Sequence, residues 1–486
     1  MRPTVSPGTI VPLGQSHPGW VLEEDLLQQA RANLRELSAV ADRFAAFVAR
    51  TPECLERASF RALEECPEFV QYPLQSWPLF VDSSRLAEFG RVSTTLCSLV
   101  RGIPQRLFGN DPFRLAEVYR LELQEVSLLL AIMEDETVLQ ATVSRGDYMD
   151  AAAGLQCLEL NMSANLGGWK AGVWSDLYLR VPVIARFLAE EGLDVSVARP
   201  LRSLFTHLLA EARRKGMIDA GELNVAFATH TEARIPSAWA PYADSELAVV
   251  LGGDPERLTG HVAVCAYSDL ADRAGRLFLG GRRIHAVVGQ SGNITPAVFN
   301  CWMAGTVDVY GEFLARILGD KINLALLSEG ADKGLFSAQE SALIQRHVPW
   351  TREVKAGETT WRGERIALGP FVASERERLV LKRRRSFGGR DVFVGHATPP
   401  DVWDEVLVAA LAESGSFVVQ ELVDSKPLLF QNGDSGVGPY DVVWGFFVLG
   451  DRFGSGFLRL SPRGERAVIN AAQGAEEGVL FEVREG

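Results

Sequence analysis

The segment Ser144–Asn161, SRGDYMDAAAGLQCLELN, constrains this chain more than any other stretch. It holds two pairs of polar residues, each pair two positions apart: Arg145 with Asp147, and Glu159 with Asn161. Residues at i and i+2 of an extended chain project from the same face, so two neighbouring strands would direct one cation, two carboxylates and one amide oxygen into a shared space. Oxygen ligands of this kind suit Mg²⁺, which usually keeps waters and bridges to nucleotide phosphates. An edge hairpin with polar residues facing solvent would give the same pattern.

Length and composition indicate a globular protein of more than one domain. The chain has 486 residues, of which 47% are hydrophobic and 23% charged, and this length exceeds one ordinary core. A formal net charge of −13 argues against nucleic acid or an anionic membrane as a partner. The apolar runs are much shorter than the ~20 residues that span a bilayer. Prolines interrupt residues 1–20 where a secretory signal needs an apolar stretch, so we expect a cytoplasmic protein.

Two common kinds of catalytic centre find no support in the sequence. The six cysteines and seven histidines are dispersed, without the C-x-x-C or H-E-x-x-H spacing of a zinc site. No G-x-S-x-G segment is present, so a serine-hydrolase elbow has no anchor. The chemistry is therefore expected from carboxylates and cations.

Hydrophobic periodicity predicts four regions along the chain. Residues 1–135 are expected to form a mostly helical N-terminal region, and residues 136–220 hold the strands of the opening segment and following helices. In residues 221–345 short apolar runs alternate with helical ones, which predicts an α/β domain. Residues 346–486 are β-rich with one amphipathic helix, which predicts an α+β module.

Several individual elements follow from the same patterns. Helices are predicted at Leu22–Arg50, Pro52–Cys66, Ser83–Arg101, Asp111–Met133, Trp174–Glu191, Val197–Lys215 and Pro400–Ser414. Strands are predicted at residues 224–229, 248–253, 262–267 and 284–289, and at Arg378–Lys382, Val392–Gly395, Phe417–Leu422, Val443–Leu449, Gly456–Arg459 and Val468–Ala471.

A basic, glycine-containing loop is the second candidate site. In RLVLKRRRSFGGRDVFVG a predicted strand ends at Lys382, and a second begins near Val392. Gly388 and Gly389 would let the backbone approach a ligand, so that amide N–H groups could bind phosphate oxygens. The compact ammonium of Lys382 suits a phosphate. A simple hairpin with a glycine turn fits the same residues.

Two later segments add to this picture. In FVVQELVDSKP the apolar run breaks at Gln420 and Glu421, where a strand could offer main-chain groups to an adenine edge, although many strands contain a polar pair. In GFLRLSP, Arg459 lies on a short strand. If buried there, it would need a phosphate or carboxylate partner, and otherwise it is an ordinary surface residue.

The ordered series of these segments resembles the circularly permuted ATP-grasp ligases, the group that includes glutathionylspermidine synthase and related peptide-tailoring ligases. The series is R-x-D and E-x-N, then DKINLALLSE, LVLK with the glycine pair, VVQELV, and LRLS with INAAQG. In ordinary ATP-grasp chains the metal-binding strands follow the glycine-rich loop, whereas here E-x-N precedes it by more than two hundred residues. The resemblance runs from about Arg145 to the C-terminus. It implies an α/β and α+β architecture, namely a circularly permuted ATP-grasp fold with a mostly helical N-terminal region.

The resemblance also implies a role for each matching residue. The implied Mg²⁺ ligands are Asp147, Glu159 and Asn161, and Arg145 would stabilise charge on the transferred phosphoryl group. The nucleotide, ATP, would be bound by Lys321, Lys382, Gly388, Gly389, Gln420, Glu421, Leu422 and Arg459. In this scheme the glycines belong to a closing loop, Ser386–Arg390, and Gln420 to Leu422 form the adenine hinge. From the residues alone, Lys321 has the pattern of a helix-surface lysine.

Two segments depart from the family pattern. Arg383, Arg384 and Arg385 stand where many relatives have a proline, and this extra charge either binds an acidic substrate or is solvated. The segment INAAQGAEEG lacks a glycine pair that many relatives have, which leaves its role open.

The implied activity is ATP-dependent amide or peptide bond formation between a small-molecule carboxylate and an amine, or on a peptide, through an acyl phosphate. A phosphotransferase on the same scaffold and a non-catalytic nucleotide-binding module are the alternatives. The N-terminal region could form a substrate cover, a homodimer interface or a leader-peptide docking surface. The loop of residues 162–172, MSANLGGWKAG, could meet the substrate through Ser163, Asn165 and Lys170 or could be a glycine-rich turn.

Overall fold

The computed structural model describes residues 23–51, 65–219, 221–229, 237–289, 294–311, 313–386, 388–432 and 436–484, apart from the side chains of residues 136 and 137. Residues 1–20, where the sequence predicts no secretory signal, lie outside these ranges. Residues 52–64 of the predicted helix Pro52–Cys66 also lie outside them. Among the described helices, none has both the length and the apolar character that crossing a bilayer requires.

The chain before the opening segment is mainly helical. Its elements are α1 (Glu23–Leu37), α2 (Ala39–Ala49), β1 (Leu79–Asp82), α3 (Ser83–Phe108), α4 (Pro112–Tyr119), α5 (Leu123–Met133) and α6 (Glu136–Gln140). Two predicted helices are each divided. Ser38 adopts an extended conformation and caps α2 by accepting a hydrogen bond from the Val40 N–H. Arg120 has a φ of 50°, a left-handed conformation that ends α4.

The opening segment forms the antiparallel hairpin of β2 (Val143–Ala151) and β3 (Gly154–Asn161). It is followed by α7 (Ala171–Arg180), α8 (Pro182–Glu190), β4 (Ser196–Val197) and α9 (Pro200–Arg214). The single helix predicted for Trp174–Glu191 is interrupted because Val181, which precedes a proline, is extended.

The next region contains a parallel four-stranded sheet with the order β11-β10-β5-β6. The elements are β5 (Val225–Thr229), α10 (Trp239–Gly252), β6 (Val262–Ala266), β7 (Leu270–Arg273), β8 (Arg276–Leu279), β9 (Arg282–Arg283), β10 (Ala286–Gly289), α11 (Pro296–Met303), β11 (Asp308–Tyr310), α12 (Ala315–Leu318), α13 (Ile322–Asp332) and α14 (Ala338–His347). The strand predicted at residues 248–253 is wrong, since this stretch ends α10. Ala243, Leu247 and Leu251 are its buried apolar residues, and their four-residue spacing is that of a helix.

The C-terminal region first builds an antiparallel sheet, here called the small sheet, with the order β12-β17-β15-β16. Its elements and their neighbours are β12 (Thr351–Glu353), β13 (Glu358–Trp361), β14 (Glu364–Ala367), α15 (Leu368–Ser374), β15 (Leu379–Arg383), β16 (Val392–Val394), α16 (Pro400–Ala412) and β17 (Phe417–Glu421). Leu379 and Leu381 of β15 pack with Trp403 of α16 in a separate hydrophobic core. The small sheet therefore has its own support.

The chain ends with β18 (Leu428–Gln431), β19 (Val437–Leu449), β20 (Arg452–Pro462), β21 (Glu476–Gly478) and β22 (Leu480–Val483). The strand predicted at Val468–Ala471 is wrong. That stretch leads into a 3₁₀ turn, Ala471–Gln473, where the Asn470 side chain accepts a hydrogen bond from the Ala472 N–H.

A second antiparallel sheet, here called the large sheet, joins distant parts of the chain. Its order is β21-β20-β19-β2-β3, and β18 also pairs with β19. Within it Asp147 lies opposite Gly445. The β2–β3 hairpin thus completes a sheet whose other strands follow it by almost three hundred residues, and this pairing positions the candidate site.

Candidate nucleotide and metal site

A cavity of about 860 Å³ lies between the small sheet and the large sheet, a volume typical of small-molecule sites. Both sheets line it. The small sheet contributes Val380, Lys382, Val392, Val394, Gln420 and Glu421, and the large sheet contributes Asp147, Met149, Leu158, Glu159, Val443 and Arg459. Leu26 and Gln29 of α1 also contact the cavity, so the N-terminal region covers part of it.

The hairpin brings together the four polar residues of the opening segment. Arg145 lies opposite Asn161 and Asp147 lies opposite Glu159 in the register of β2 and β3. Asn161 Nδ2 is 3.5 Å from Asp147 Oδ2. The two pairs therefore share one face of the hairpin, as the i, i+2 spacing predicts.

Asp147 is the electrostatic centre of this face. Arg145 donates to both of its carboxylate oxygens, at 2.9 and 3.0 Å, and Arg459 Nη2 lies 2.5 Å from Oδ1. Burial acts to raise the pKa of Asp147, but the two guanidinium groups outweigh it and lower the pKa to about 2. The carboxylate is therefore ionised at any pH at which the protein would be studied. Arg459 is buried, so its alternative interpretation as a surface residue is wrong.

Lys321 joins the same cluster from the start of α13. Its ammonium lies 3.1 Å from Glu159 Oε1 and donates to the Ser386 carbonyl at 2.7 Å. The side chain is buried, so the helix-surface interpretation of Lys321 is wrong. This lysine connects the hairpin to the basic loop.

Lys382 extends from β15 toward the hairpin. It donates to Gln420 Oε1 at 2.6 Å and to the Leu158 carbonyl at 3.1 Å. Burial lowers the pKa of Lys382, and the nearby Lys321 adds to the effect, whereas Glu159 opposes it, so the pKa falls to about 8. A negatively charged ligand next to the ammonium would stabilise its charged form.

The backbone conformation of the basic loop favours glycine at both positions of the glycine pair. Gly388 and Gly389 have φ values of 69° and 71°, which favour glycine. A Cβ on Gly389 would lie 2.8 Å from the Gln473 side chain, which donates to the Gly389 carbonyl. The basic loop thus lies against the INAAQG segment at the cavity. Phe387, between Ser386 and these glycines, lies outside the described residues.

The predicted adenine hinge lies at the end of β17. The Glu421 N–H donates to the Trp350 carbonyl and the Leu422 N–H to the Arg378 carbonyl, both at 2.8 Å. These two donors are already used, so the carbonyl oxygens are the main-chain groups that Glu421 and Leu422 can present to a ligand.

The cavity changes character along β15. Val380 lies opposite Gln420 on one side and Val394 on the other, while Lys382 follows two residues later on the same face. An apolar end beside the hinge thus gives way to a charged end beside the hairpin.

The charged end suits Mg²⁺ only together with outside ligands. Among the described residues, no three His, Cys, Asp or Glu side chains form a metal-binding group. The hairpin offers two carboxylates and the Asn161 amide oxygen instead. Mg²⁺ usually takes one or two protein carboxylates and completes its shell with water and phosphate oxygens, so this donor set fits it.

In the arginine run after Lys382, the interpretation as solvated charge is wrong for Arg384, whereas Arg383 and Arg385 are partly exposed. Arg384 is buried and makes paired hydrogen bonds to both oxygens of Asp320, each at 2.9 Å. Arg385 also donates to Asp320, at 3.2 Å. Arg383 is partly exposed and lies over the Phe417 ring. These residues serve the structure beside the loop.

The cavity wall also carries charged residues that the sequence did not single out, among them Arg463, Arg466 and Asp441. Arg463 and Arg466 flank Gly464 after β20, and Asp441 pairs with Arg463 at 2.6 Å. The R-G-E-R spacing next to Arg459 was the available signal, since two arginines around a glycine form a second basic turn.

Comparison with known proteins supports the fold. No family model and no curated protein sequence matches this chain. Its structure is similar to that of a glutathione synthetase-like effector from Globodera pallida, with a TM-score of 0.53 and 13% identity, over 90% of this chain and 97% of that chain. A putative gamma-glutamylcysteine synthetase from Methylobacillus flagellatus KT aligns over 79% of this chain and 88% of its own, at 11% identity and a TM-score of 0.37, which is too low to support an argument.

The chain therefore has a mixed α/β fold like that of a glutathione synthetase-like protein, and at 13% identity the likeness concerns the fold alone. The predicted α/β character is confirmed. The permuted connectivity and the roles of the site residues remain predictions.

Proposed function

We propose that this chain is an ATP-dependent carboxylate–amine ligase of the circularly permuted ATP-grasp type, which forms an amide bond through an acyl phosphate and releases ADP. The observation that carries the proposal is the convergence of Arg145, Arg459, Lys321 and Lys382 around Asp147 and Glu159. The placement of the β2–β3 hairpin before its partner strands supports the permuted order.

The polarity of the cavity supports one orientation of ATP. The adenine would occupy the apolar end between Val380, Val394 and the hinge, and the phosphates would extend to the four cations. Four fixed positive charges at this end can neutralise the triphosphate and the charge that develops on the transferred phosphoryl group.

Asp147, Glu159 and Asn161 would hold Mg²⁺ together with phosphate oxygens. Bound there, the ion would supply charge neutralisation and help to align the phosphates. Arg145 and Arg459 now share the Asp147 carboxylate. Phosphate oxygens would give both arginines another partner and leave Asp147 for the metal.

The protein contributes to the reaction mainly by positioning the reacting groups. A substrate carboxylate oxygen bonds to the γ-phosphorus as the bond to the β-γ bridging oxygen breaks, which releases ADP. An amine nitrogen next bonds to the acyl carbon. The bond from that carbon to the phosphate oxygen breaks, so that phosphate leaves, and the nitrogen loses a proton. Arg145 and Lys321 would stabilise the phosphoryl oxygens in the first step.

Replacement of Glu159 by alanine tests the proposal. The change removes a carboxylate from the charged end, so amine-dependent ADP release with pooled amino acids should fall by about 10²-fold or more. Asp150→Asn is the control, because Asp150 is a buried carboxylate of the same hairpin, pairs with Arg85 and does not line the cavity. Full activity of Glu159→Ala would contradict the metal assignment.

Hydroxylamine separates the proposed reaction from its alternatives. With ATP, a carboxylate and hydroxylamine, an acyl phosphate gives a hydroxamate. A stable phosphorylated product without hydroxamate would favour a phosphotransferase. ATP binding without ADP formation across the amine panel would favour a non-catalytic module.

A further inference from the structure

A second pair of opposite charges lies beyond Arg459 on the large sheet. Glu477 of β21 lies directly opposite Arg459 of β20, and directly opposite residues of paired strands share a face. Lys170 Nζ lies 3.4 Å from Glu477 Oε2. The charges that begin at Glu159 and Asp147 thus continue through Arg459 to this pair.

Glu477 is a buried carboxylate with unused hydrogen-bonding capacity. Its side chain is 5% exposed, and Oε2, which lies 3.4 Å from Lys170 Nζ, accepts no well-formed hydrogen bond from the described residues. Burial raises the pKa of Glu477, although Lys170, Arg459 and Arg145 act in the opposite direction. A buried oxygen of this kind is costly unless a donor reaches it.

Lys170 is held in a position to meet a ligand. Its ammonium lies 5.0 Å from the centre of the Trp174 ring and 5.7 Å from that of Tyr72, and 17% of the side chain is exposed. The same loop provides the Gly167 carbonyl, which accepts a hydrogen bond from Arg145 at 3.1 Å. One loop therefore fixes both the proposed phosphoryl-binding arginine and this lysine.

An ion pair elsewhere in the chain gives a comparison. Lys215 and Asp308 form a close pair with side-chain exposures of 17% and 7%, nearly those of Lys170 and Glu477. In that pair Asp308 Oδ1 binds Lys215 and Oδ2 lies 3.5 Å from the Tyr310 hydroxyl. Both oxygens of Asp308 have hydrogen-bond partners, whereas Glu477 Oε2 has the ion pair with Lys170 and no well-formed hydrogen bond from the described residues.

We propose that Glu477 and Lys170 bind the ammonium and the carboxylate of a zwitterionic amino-acid head group, and so anchor one substrate beside the phosphoryl-transfer centre. This inference rests on the proposed function, because Arg145 and Arg459 connect the anchor to the expected γ-phosphate. The head group carries both charges on one carbon, so it belongs to a free amino acid.

Calorimetry with the intact protein tests the anchor. The probes are pools of the twenty L-amino acids and of glycine dipeptides, titrated with and without Mg²⁺ and a non-hydrolysable ATP analogue. Each binder is then compared with its deaminated and decarboxylated analogues. Glu477→Gln and Lys170→Met should each weaken binding of the amino acid by about tenfold or more, since each removes a charged hydrogen bond.

The analogues make the test specific to each group. Glu477→Gln should leave the affinity for the deaminated analogue unchanged, and Lys170→Met should leave that for the decarboxylated analogue unchanged. Lys215→Met is the matched control and should change none of these affinities. Preference for the dipeptide pool would contradict the inference, because a dipeptide carries its ammonium and its carboxylate on different residues.

Several results would overturn the inference. They are the absence of binding by every pool, an equal loss of affinity for all analogues in both variants, and weaker binding in Lys215→Met. The last result would place the substrate in the separate cavity of about 190 Å³ that Lys215 and Asp308 line. Failure of the ATP analogue to bind would count against the proposed function, while the titrations without nucleotide would still test the anchor.

Discussion

Two arginine–aspartate clusters in this chain have similar composition and different surroundings. Around Asp147, at the cavity, Arg145 and Arg459 share one carboxylate. Around Asp320, in the core next to the basic loop, Arg384 and a second arginine share another. The Asp320 side chain is completely buried, whereas Asp147 faces a cavity large enough for a ligand.

The hydrogen bonds of the arginines distinguish the clusters. Arg384 uses all three nitrogens, because besides Asp320 it donates to the carbonyls of Gly415 and Val118 at 2.8 Å. Within the described residues, Nε and Nη2 of Arg459 are buried without a well-formed hydrogen bond. A saturated cluster stabilises the fold, and an unsaturated one keeps capacity for a ligand.

Asp320→Asn should give the largest effect. It removes the carboxylate that pairs with the buried Arg384 at 2.9 Å and leaves, among the described residues, only Glu353 at 3.6 Å, so the free energy of unfolding should fall by about 3–5 kcal/mol. Urea denaturation measures the loss. The control is Arg383→Ala, which removes a partly exposed neighbour and should change stability by about 0.5 kcal/mol or less. Equal effects of the two changes would show that the Asp320 cluster is not a buried structural unit.

The sequence predicted the hairpin face because that geometry is local. A spacing of two residues in an extended chain is enough to place Asp147 near Glu159. The partnership of Asp147 with Arg459 depends on the pairing of β2 with β19 and of β19 with β20, which no local pattern encodes. The residues alone left Arg459 open between a buried partner of an anion and a surface residue, and the resemblance selected the first.

Lys321 and Arg384 show a second limit of the sequence. The apolar residues after Lys321 have a helical pattern, but which end of that helix meets the hairpin depends on packing. Arg384 follows the end of β15, so strand alternation no longer predicts its direction. Both charges are buried through long-range contacts, and charged residues are usually predicted to be exposed.

Asp147→Asn should separate function from stability. ADP release should fall by about 10²- to 10³-fold, while the free energy of unfolding should change by about 1 kcal/mol, because the cavity allows water to solvate Arg145 and Arg459. Parallel activity and urea measurements test this. A loss of stability as large as that of Asp320→Asn would remove the distinction between the two clusters.

The smallest expected effect is a pH dependence of ATP binding. In the free protein the pKa of Lys382 is lowered to about 8, and phosphate oxygens next to the ammonium would raise it in the complex. Above pH 8 the complex then binds more protons than the free protein, so ATP affinity should be level below pH 7 and fall by up to about tenfold per unit above 8. Calorimetry in buffers of different ionisation enthalpy should detect proton uptake at pH 9. Lys382→Arg, which stays charged, should flatten the profile, and an unchanged profile in that variant would place Lys382 with the structural charges.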